Sequence, residues 1–525
     1  MKFITPAQAA DLVGAESSLI ASGSGGGHAV PEALLAALGE RFRQTGAPSG
    51  LTLTHVVGIG DRKDRGAAHL AQPGMVRRLI TSALVDAPAF IPMALADQVE
   101  AYTLPQGVLS QLMRDMAAGR PGLITRTGLH TFVDPRQDGG LQGGRMSEPR
   151  VEVIQIGGQD WLRFLPFQID VAFLRGTTAD EDGNISMEQE AIPGEMLSTA
   201  QAVRRMGGKV IVQVKRVARS GALRARDVRI PGILVDHVVV VPEQSQTYAT
   251  DYDPSYSGEL RVPLNRIKPL EFGARKIIAR RAAMELRPGA VCNIGAGIST
   301  GISTVAAEEG ILDSITLTNE QGFIGGAPLT GPDSGAAQNW SAMVDQPYQF
   351  DFYDGGGIDV AFLSFVEVNA QGDVNISRFN GTIVGIGGFV NISQNAKETV
   401  FSGTFTAGGL DIACEDGTLR IVTEGRHRKF CDTVQQVSYS GPFAACEGRK
   451  ALFVTERAVF RLADGRLTLE EIAPGIDLDR DILAHMDFKP DLINRPKLMD
   501  KRLFATQPMG LSEADVFQRI GACED

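Results

Sequence analysis

Cysteine is scarce in this chain. There are 5 in 525 residues: Cys292, Cys414, Cys431, Cys446 and Cys523. They are odd in number, scattered, and without CxxC spacing, which argues against a disulfide framework or a zinc site. That usage fits a reducing cytosol. The 7 histidines are also scattered and form no HExxH pattern. No Ser/His/Asp arrangement and no cluster of metal ligands stands out. There is no block of lysine and arginine, and the formal net charge is −11. An acidic chain of this kind is a poor nucleic-acid binder, although a local basic patch could still hold an anionic ligand. No apolar run reaches the roughly 18 residues that span a bilayer. The start, Met1 to Pro6, lacks the shape of a signal peptide. The expectation is a soluble, cytoplasmic protein with no membrane partner.

What the chain does have is size and glycine. With 525 residues it exceeds one ordinary domain, and two or three are expected. Hydrophobic residues at 43% and charged residues at 22% are those of a globular protein with full cores. Glycine, at 60 residues, is clustered, which favours tight turns and close backbone approaches.

An internal repeat organises the rest. Ile169-Asp170-Val171-Ala172-Phe173-Leu174 recurs as Ile358-Asp359-Val360-Ala361-Phe362-Leu363. Each hexamer reads as a buried strand. Each is followed by a turn and an Asn-Ile-Ser end, at Asn184–Ser186 and Asn375–Ser377. A looser echo precedes them. Leu19 to Gly27 and Val291 to Gly297 are both apolar runs ending in glycine, read as strand, glycine turn and helix. The shared order implies two related, open α/β domains with mostly parallel sheets, fused in tandem. The join is expected in the polar stretch after Val241, which runs through Asp253-Pro254. The boundaries drawn are 1–243 for the first domain, 244–270 for a linker and 271–525 for the second. Phe272 to Leu286 has helical spacing and is stopped by Arg287-Pro288-Gly289.

Several residues could carry chemistry. Glu320 follows the β-branched run Ile311 to Thr318 and precedes Gly322, Gly325, Gly326 and Gly331. A carboxylate there sits at the carboxyl end of a strand, where ligands bind in α/β folds. It could attack a thioester or ester carbonyl, or it could be a surface carboxylate capping a loop. Tyr348 to Gly357 alternates aromatic and polar residues before three glycines, and reads as a half-buried strand and hairpin turn or as a pocket lining. Val384 to Phe389 holds Gly387 and Gly388, whose N–H groups could form an oxyanion hole or simply make a turn. Gly27 and His28 precede Pro31 and a helical stretch. Free N–H groups at a helix start suit a phosphate or carboxylate, and His28 is either a ligand donor or a turn histidine. Gln106, in Leu104-Pro105-Gln106-Gly107, offers an amide donor at a rigid turn or ordinary turn bonding.

Taken together these stretches resemble the family I coenzyme A transferases, in their single-chain, short-chain acyl form. The likeness runs through Gly27-His28, Leu104 to Gly107, Gly128 to Arg136, Arg175 to Asp180, the Glu320 segment, Asp345 to Tyr353, Gly385 to Phe389, and Glu471 to Asp477. In that form two subunit-like halves are fused, in agreement with the repeat. The resemblance implies a ping-pong transfer of CoA from an acyl-CoA to a free carboxylic acid, through a thioester on Glu320. Acetate, propionate, butyrate and acetoacetate are the acids implied. It assigns Gln106 as a side-chain oxyanion donor and Gly387 and Gly388 as backbone donors, and it implies a homo-oligomer, dimer or tetramer. Acyl-CoA is the substrate, with no metal or redox cofactor. An acyl-CoA hydrolase and a non-catalytic acyl-CoA-binding protein remain alternatives on the same scaffold. Relatives carry Ser, Ala or Pro where this chain has Gln321, and Asn319 is also unusual, so the acyl pocket is expected to differ.

Overall fold

The computed structural model describes residues 1–263 and 269–511, with backbone only at 493–495. Residues 264–268 of the expected linker, and Cys523, lie outside the described residues. Two compact units are present. One gathers Met1–Val262 with Asn319–Asp351 and Gly381–Asn391; the other gathers Pro263–Thr318, Phe352–Asn380 and Ile392–Asp525. Two stretches of the second half of the chain therefore pack with the first half, and Glu320 lies in one of them. Gln244, Gln246 and Thr247, expected in a linker, are buried in the first unit.

The first unit is built on an eight-stranded parallel sheet. Its strands are β1 (Lys2–Phe3), β2 (Ser18–Ala21), β3 (Leu51–His55), β4 (Val76–Thr81), β5 (Glu100–Thr103), β6 (Val171–Arg175), β7 (Lys209–Val214) and β8 (His237–Val240). Their order is β1-β8-β7-β6-β2-β3-β4-β5. The central strands are apolar without alternation because both faces are covered: Val171, Ala172, Phe173 and Leu174 are all buried. Helix α1 (Glu32–Thr45) buries Leu34, Leu35 and Leu38, and ends at Gly46 in the left-handed conformation that suits a helix stop. Helices α2 (Gln106–Ala117) and α3 (Met196–Arg205) pack together. The run Gly232 to Val241 holds a short 3-10 turn at Gly232–Leu234 followed by β8.

The second unit carries its own sheet. Helix α4 (Ala274–Ala283) falls inside the predicted Phe272–Leu286 stretch. The strands are β9 (Val291–Ile294), β10 (Thr316–Asn319), β11 (Val360–Ser364), β12 (Glu398–Ser402), β13 (Lys450–Val454), β14 (Ala458–Ala463), β15 (Arg466–Ile472) and β16 (Asp491–Leu498). They are ordered β10-β9-β11-β12-β13-β14-β15-β16. The pairings from β10 to β13 are parallel, whereas β14 is antiparallel to both its neighbours.

The repeat in sequence is a repeat in register. In the first sheet Leu19 pairs with Val171, Ile20 with Ala172 and Ala21 with Phe173. In the second, Cys292 pairs with Val360, Asn293 with Ala361 and Ile294 with Phe362. The two hexamers thus meet their glycine-ended partners at the same rungs. On the other side, Val171 pairs with Lys209 and Val360 with Glu398. Apolar runs buried on both faces do not fix register by alternation, so the shared register supports common descent of the two sheets.

Candidate active site

Glu320 stands just past the carboxyl end of β10, half-buried, in the turn Asn319–Gly322. That turn is fixed from several sides. The Gly322 N–H donates to Asn319 O at 3.0 Å, and the Gln321 N–H donates to Asn319 Oδ1 at 2.7 Å. Asn319 Nδ2 reaches Gly335 O at 3.4 Å, and Gln321 Nε2 reaches Ser24 Oγ at 3.3 Å. The two residues flanking Glu320 are thus each tethered, one to Gly335 and the other to Ser24. Phe323–Ile324, directly after the turn, pairs antiparallel with Ala342–Met343.

Gly322 is required by this geometry. Its φ is +111°, and a Cβ there would lie 2.0 Å from the carbonyl oxygen of Val344 and 3.2 Å from Pro193 Cγ. A backbone oxygen cannot swing aside. Gly322→Ala is therefore expected to shift the Glu320 turn and lower the turnover number about 100-fold, the cost of an ångström-scale misplacement. It should also lower the melting temperature. Steady-state kinetics and calorimetry on the purified variant check both.

The segment holding Gly27 and His28 lies against the same turn. Gly26 N–H donates to Gly60 O at 3.1 Å, and a Cβ on Gly27 would lie 2.6 Å from the Tyr248 ring. The first turn of α1 has no spare donors: Glu32, Leu34 and Leu35 N–H bond to Val30 O or Pro31 O, and Ala33 N–H bonds to Gln213 Oε1. The free N–H groups expected at that helix start are therefore taken. His28 is fully buried, with Nε2 3.2 Å from Ser334 O, which places the ring proton on Nε2. Burial pushes its pKa down to about 4. The ring is neutral and its Nδ1 can only accept. Through Nε2 it pins the loop at Ser334, which neighbours Gly335 and hence Asn319.

Gln106 is the first residue of α2 and is 2% exposed. Its N–H donates to Gly387 O at 2.8 Å. Its Nε2 is buried with no hydrogen-bond partner. An amide left so costs about 1–3 kcal/mol, a cost recovered when a ligand supplies an oxygen. Gly387, at φ +50°, and Gly388 stand just before the helix α6 (Phe389–Asn395), but they are not equivalent. The Gly387 N–H already donates to Ser82 O at 3.0 Å, as does that of Ile386 at 2.7 Å. The expected donor pair is thus reduced: Gly387 contributes its carbonyl to Gln106, and the uncommitted N–H is that of Gly388, which has no acceptor among the described residues.

The stretch Tyr348 to Asp354, expected as a strand or a pocket wall, is helical. Helix α5 spans Gln346–Asp354. Gln346, Gln349, Phe350 and Tyr353 are 0–1% exposed, whereas Tyr348 and Phe352 are 57% and 42% exposed. Buried positions at i, i+3, i+4 and i+7 define one helix face. The aromatic alternation misled because three of the aromatics do not share a face. Pro347 is tolerated within the first helical turn, where its missing N–H costs nothing.

Helix α5 links the two groups of residues. At its start, Gln346 N–H donates to Gly194 O at 3.0 Å, two residues after Val344, whose N–H bonds to Gly322 O at 2.9 Å. One turn on, a Cβ on Gly107 would lie 2.4 Å from the Phe350 ring, so Phe350 sits directly against the start of α2. Asp351 accepts from Gln111 Nε2 at 3.1 Å and is paired to Arg114. Gly107 N–H also bonds Asn391 Oδ1 at 3.1 Å.

Three polar residues in this region were not singled out from sequence. Gln346 has neither Nε2 nor Oε1 bonded, and Gln349 Nε2 is also unpartnered. Glu195 is buried near Asp345, with no cation paired to it among the described residues; burial foremost, helped by the Asp345 charge, pushes its pKa up to about 8. Asp345 is itself raised by burial, an effect opposed by Arg229 at 3.4 Å. The glutamines at i and i+3 were a readable sign of one helix face; the burial of Glu195 was not.

Among the described residues no group of three or more His, Cys, Asp or Glu could hold a metal. No helix there is long and apolar enough to cross a membrane. Cys292, Cys414, Cys431 and Cys446 are free thiols.

The α/β scaffold is matched by comparison with known proteins. The chain belongs to the coenzyme A transferases, of the family I type, and is a CoA-transferase; the coenzyme A transferase family model matches residues 5–241. Its similarity to individual relatives covers nearly all of it. It is 42% identical to a caffeate CoA-transferase of Acetobacterium woodii, over 97% of this chain and 98% of that one. It is 42% identical to the acetate CoA-transferase YdiF of Escherichia coli K12, over 96% and 95%. A crystal structure of the acyl-CoA transferase YdiF from E. coli O157:H7, as a thioester complex with CoA, superposes with a TM-score of 0.93 at 41% identity, covering 97% of each chain.

Proposed function

We propose that this enzyme moves CoA from a short-chain acyl-CoA to a free carboxylic acid through a glutamyl-CoA thioester on Glu320. The observation that carries this reading is the tethered turn placing Glu320 at the carboxyl end of β10. A carboxylate oxygen of Glu320 adds to the thioester carbonyl, the C–S bond breaks, and CoA leaves as a thiolate. The thiolate then adds to Cδ of Glu320 in the resulting anhydride. The C–O bond to Cδ breaks, the first acid departs as a carboxylate, and Cδ is left as a thioester. The acceptor carboxylate runs the same steps in reverse. No water and no net proton enter, so the thioester energy is conserved.

Gln106 Nε2 and the Gly388 N–H are the donors proposed for the oxyanion on Glu320 Cδ. Both are unengaged, as such donors must be before the reaction. The acids proposed are acetate, propionate, butyrate and acetoacetate, and the acetate transferase among the relatives supports that class. The caffeate relative shares the scaffold, and Gln321 and Asn319 are the positions at which this chain's acyl pocket is proposed to depart. A cytoplasmic homo-oligomer, dimer or tetramer, and a duplication joined at 244–270 complete the proposal.

The test is direct. The protein is incubated with acetyl-CoA and no acceptor, digested, and its peptides weighed. A CoA adduct on Glu320 that disappears on adding acetate is the expected result. Steady thiol release without any acid would replace transfer by hydrolysis. Binding of acyl-CoA with neither adduct nor turnover would make the protein a non-catalytic binder.

A further inference from the structure

The chemistry just described has two electrophilic carbons, Cδ of Glu320 and the acyl carbon of the substrate. Each passes through its own tetrahedral oxyanion, and each needs donors. Gln106 and Gly388 can serve one of them. We propose that the amides of Gln346 and Gln349 serve the other, binding the non-reacting oxygen of the substrate carboxyl group. This rests on the reading of Glu320 given above.

Three observations support it. Gln346 and Gln349 are 0% and 1% exposed, yet their Nε2 atoms have no hydrogen-bond partner. Buried amides are rarely left so unless another group completes them. They stand at i and i+3 on the buried face of α5, one above the other. That face is bounded by the two catalytic segments. Its start is joined through Val344 to Gly322, two residues beyond Glu320, and its next turn places Phe350 against Gly107, beside Gln106. Burial foremost pushes the pKa of the neighbouring Glu195 carboxyl up, which favours the form that does not repel an acid. An amide rather than an arginine at this place also has a reason. A fixed cation would favour the free carboxylate over the anhydride and thioester, whereas a neutral donor follows the oxygen as its charge rises and falls.

The test separates this role from packing. Wild type, Gln346→Met and Gln349→Met are loaded with acetyl-CoA to the glutamyl-CoA stage, and the adduct is then discharged by acetate or by hydroxylamine. Hydroxylamine attacks Cδ through nitrogen, releases CoA thiolate and gives up a proton to solvent. It carries no carboxyl oxygen for the glutamines to bind. Methionine keeps the length of the side chain and removes the donor. In each variant acetate discharge is expected to slow about 30-fold, equivalent to about 2 kcal/mol, with hydroxylamine discharge within about twofold of wild type. Equal slowing with both nucleophiles would reduce the glutamines to packing residues. Unchanged acetate discharge in both variants would overturn the proposal. Failure of the wild type to load at all would instead remove the Glu320 reading beneath it.

Discussion

Replacing Glu320 by alanine should reduce CoA transfer by at least about 10⁴-fold, the scale on which loss of a covalent nucleophile is felt. The reason is that the mechanism has no second path. Without the carboxylate there is neither anhydride nor thioester, and the acceptor acid is too weak a nucleophile to displace CoA unaided. The fold should survive, because Asn319, Gln321 and Gly322 hold the turn through bonds that the substitution leaves in place. Thermal melts and acyl-CoA binding should therefore stay close to wild type while the mass of the active-site peptide no longer increases. Glu320→Asp is the informative companion. It keeps the charge but withdraws it by one methylene, and should lose about 100-fold or more through misplacement alone. Substantial transfer by the alanine variant would end the covalent mechanism.

The second large effect is expected at Gln106. Gln106→Ala should lower kcat by about 10²–10³-fold with little change in KM, as for removal of a side-chain oxyanion donor. The substitution leaves the backbone bond from residue 106 to Gly387 O intact, so the start of α2 keeps its position. It removes only an amide that no other residue uses. Stability should rise or stay level, because a buried unpartnered group is lost. That combination, slower chemistry with an undiminished melting temperature, distinguishes a functional amide from a structural one. A fall in melting temperature with unchanged kcat would assign Gln106 to packing.

The architecture was legible because the signal was local and repeated. The apolar part of each hexamer, Val171 to Leu174 and Val360 to Leu363, is a strand buried on both faces, and Val171 and Val360 sit at matching rungs. Glycine spacing likewise marked the turn after Glu320, where φ at Gly322 admits no other residue. The helix at Gln346–Asp354 was misread because polar and aromatic residues alternate there, a period-two pattern in composition. Burial follows the helical period instead, at Gln346, Gln349, Phe350 and Tyr353. The site was legible in the types of its residues and less so in their duties.

Of the strand expected over Ile311 to Thr318, only the end is strand, Thr316–Asn319, because Leu312–Ser314 is a 3-10 turn. The sequence by itself determined the two-sheet duplication and the glycines that let the chain turn after Glu320. These follow from steric and hydrophobic rules that act over a few residues. Only the tertiary structure decided which donors remain free. Gly387 and Gly388 look alike in sequence, but Ser82 takes the N–H of the first and leaves that of the second. The start of α1 looked open, but Gln213 closes it. Gln321 is tied to Ser24, 297 residues away along the chain. A hydrogen-bond partner is chosen by position in space, and no local pattern contains that information. This is also why Glu320, at the end of a strand of the second unit, belongs with the residues of the first.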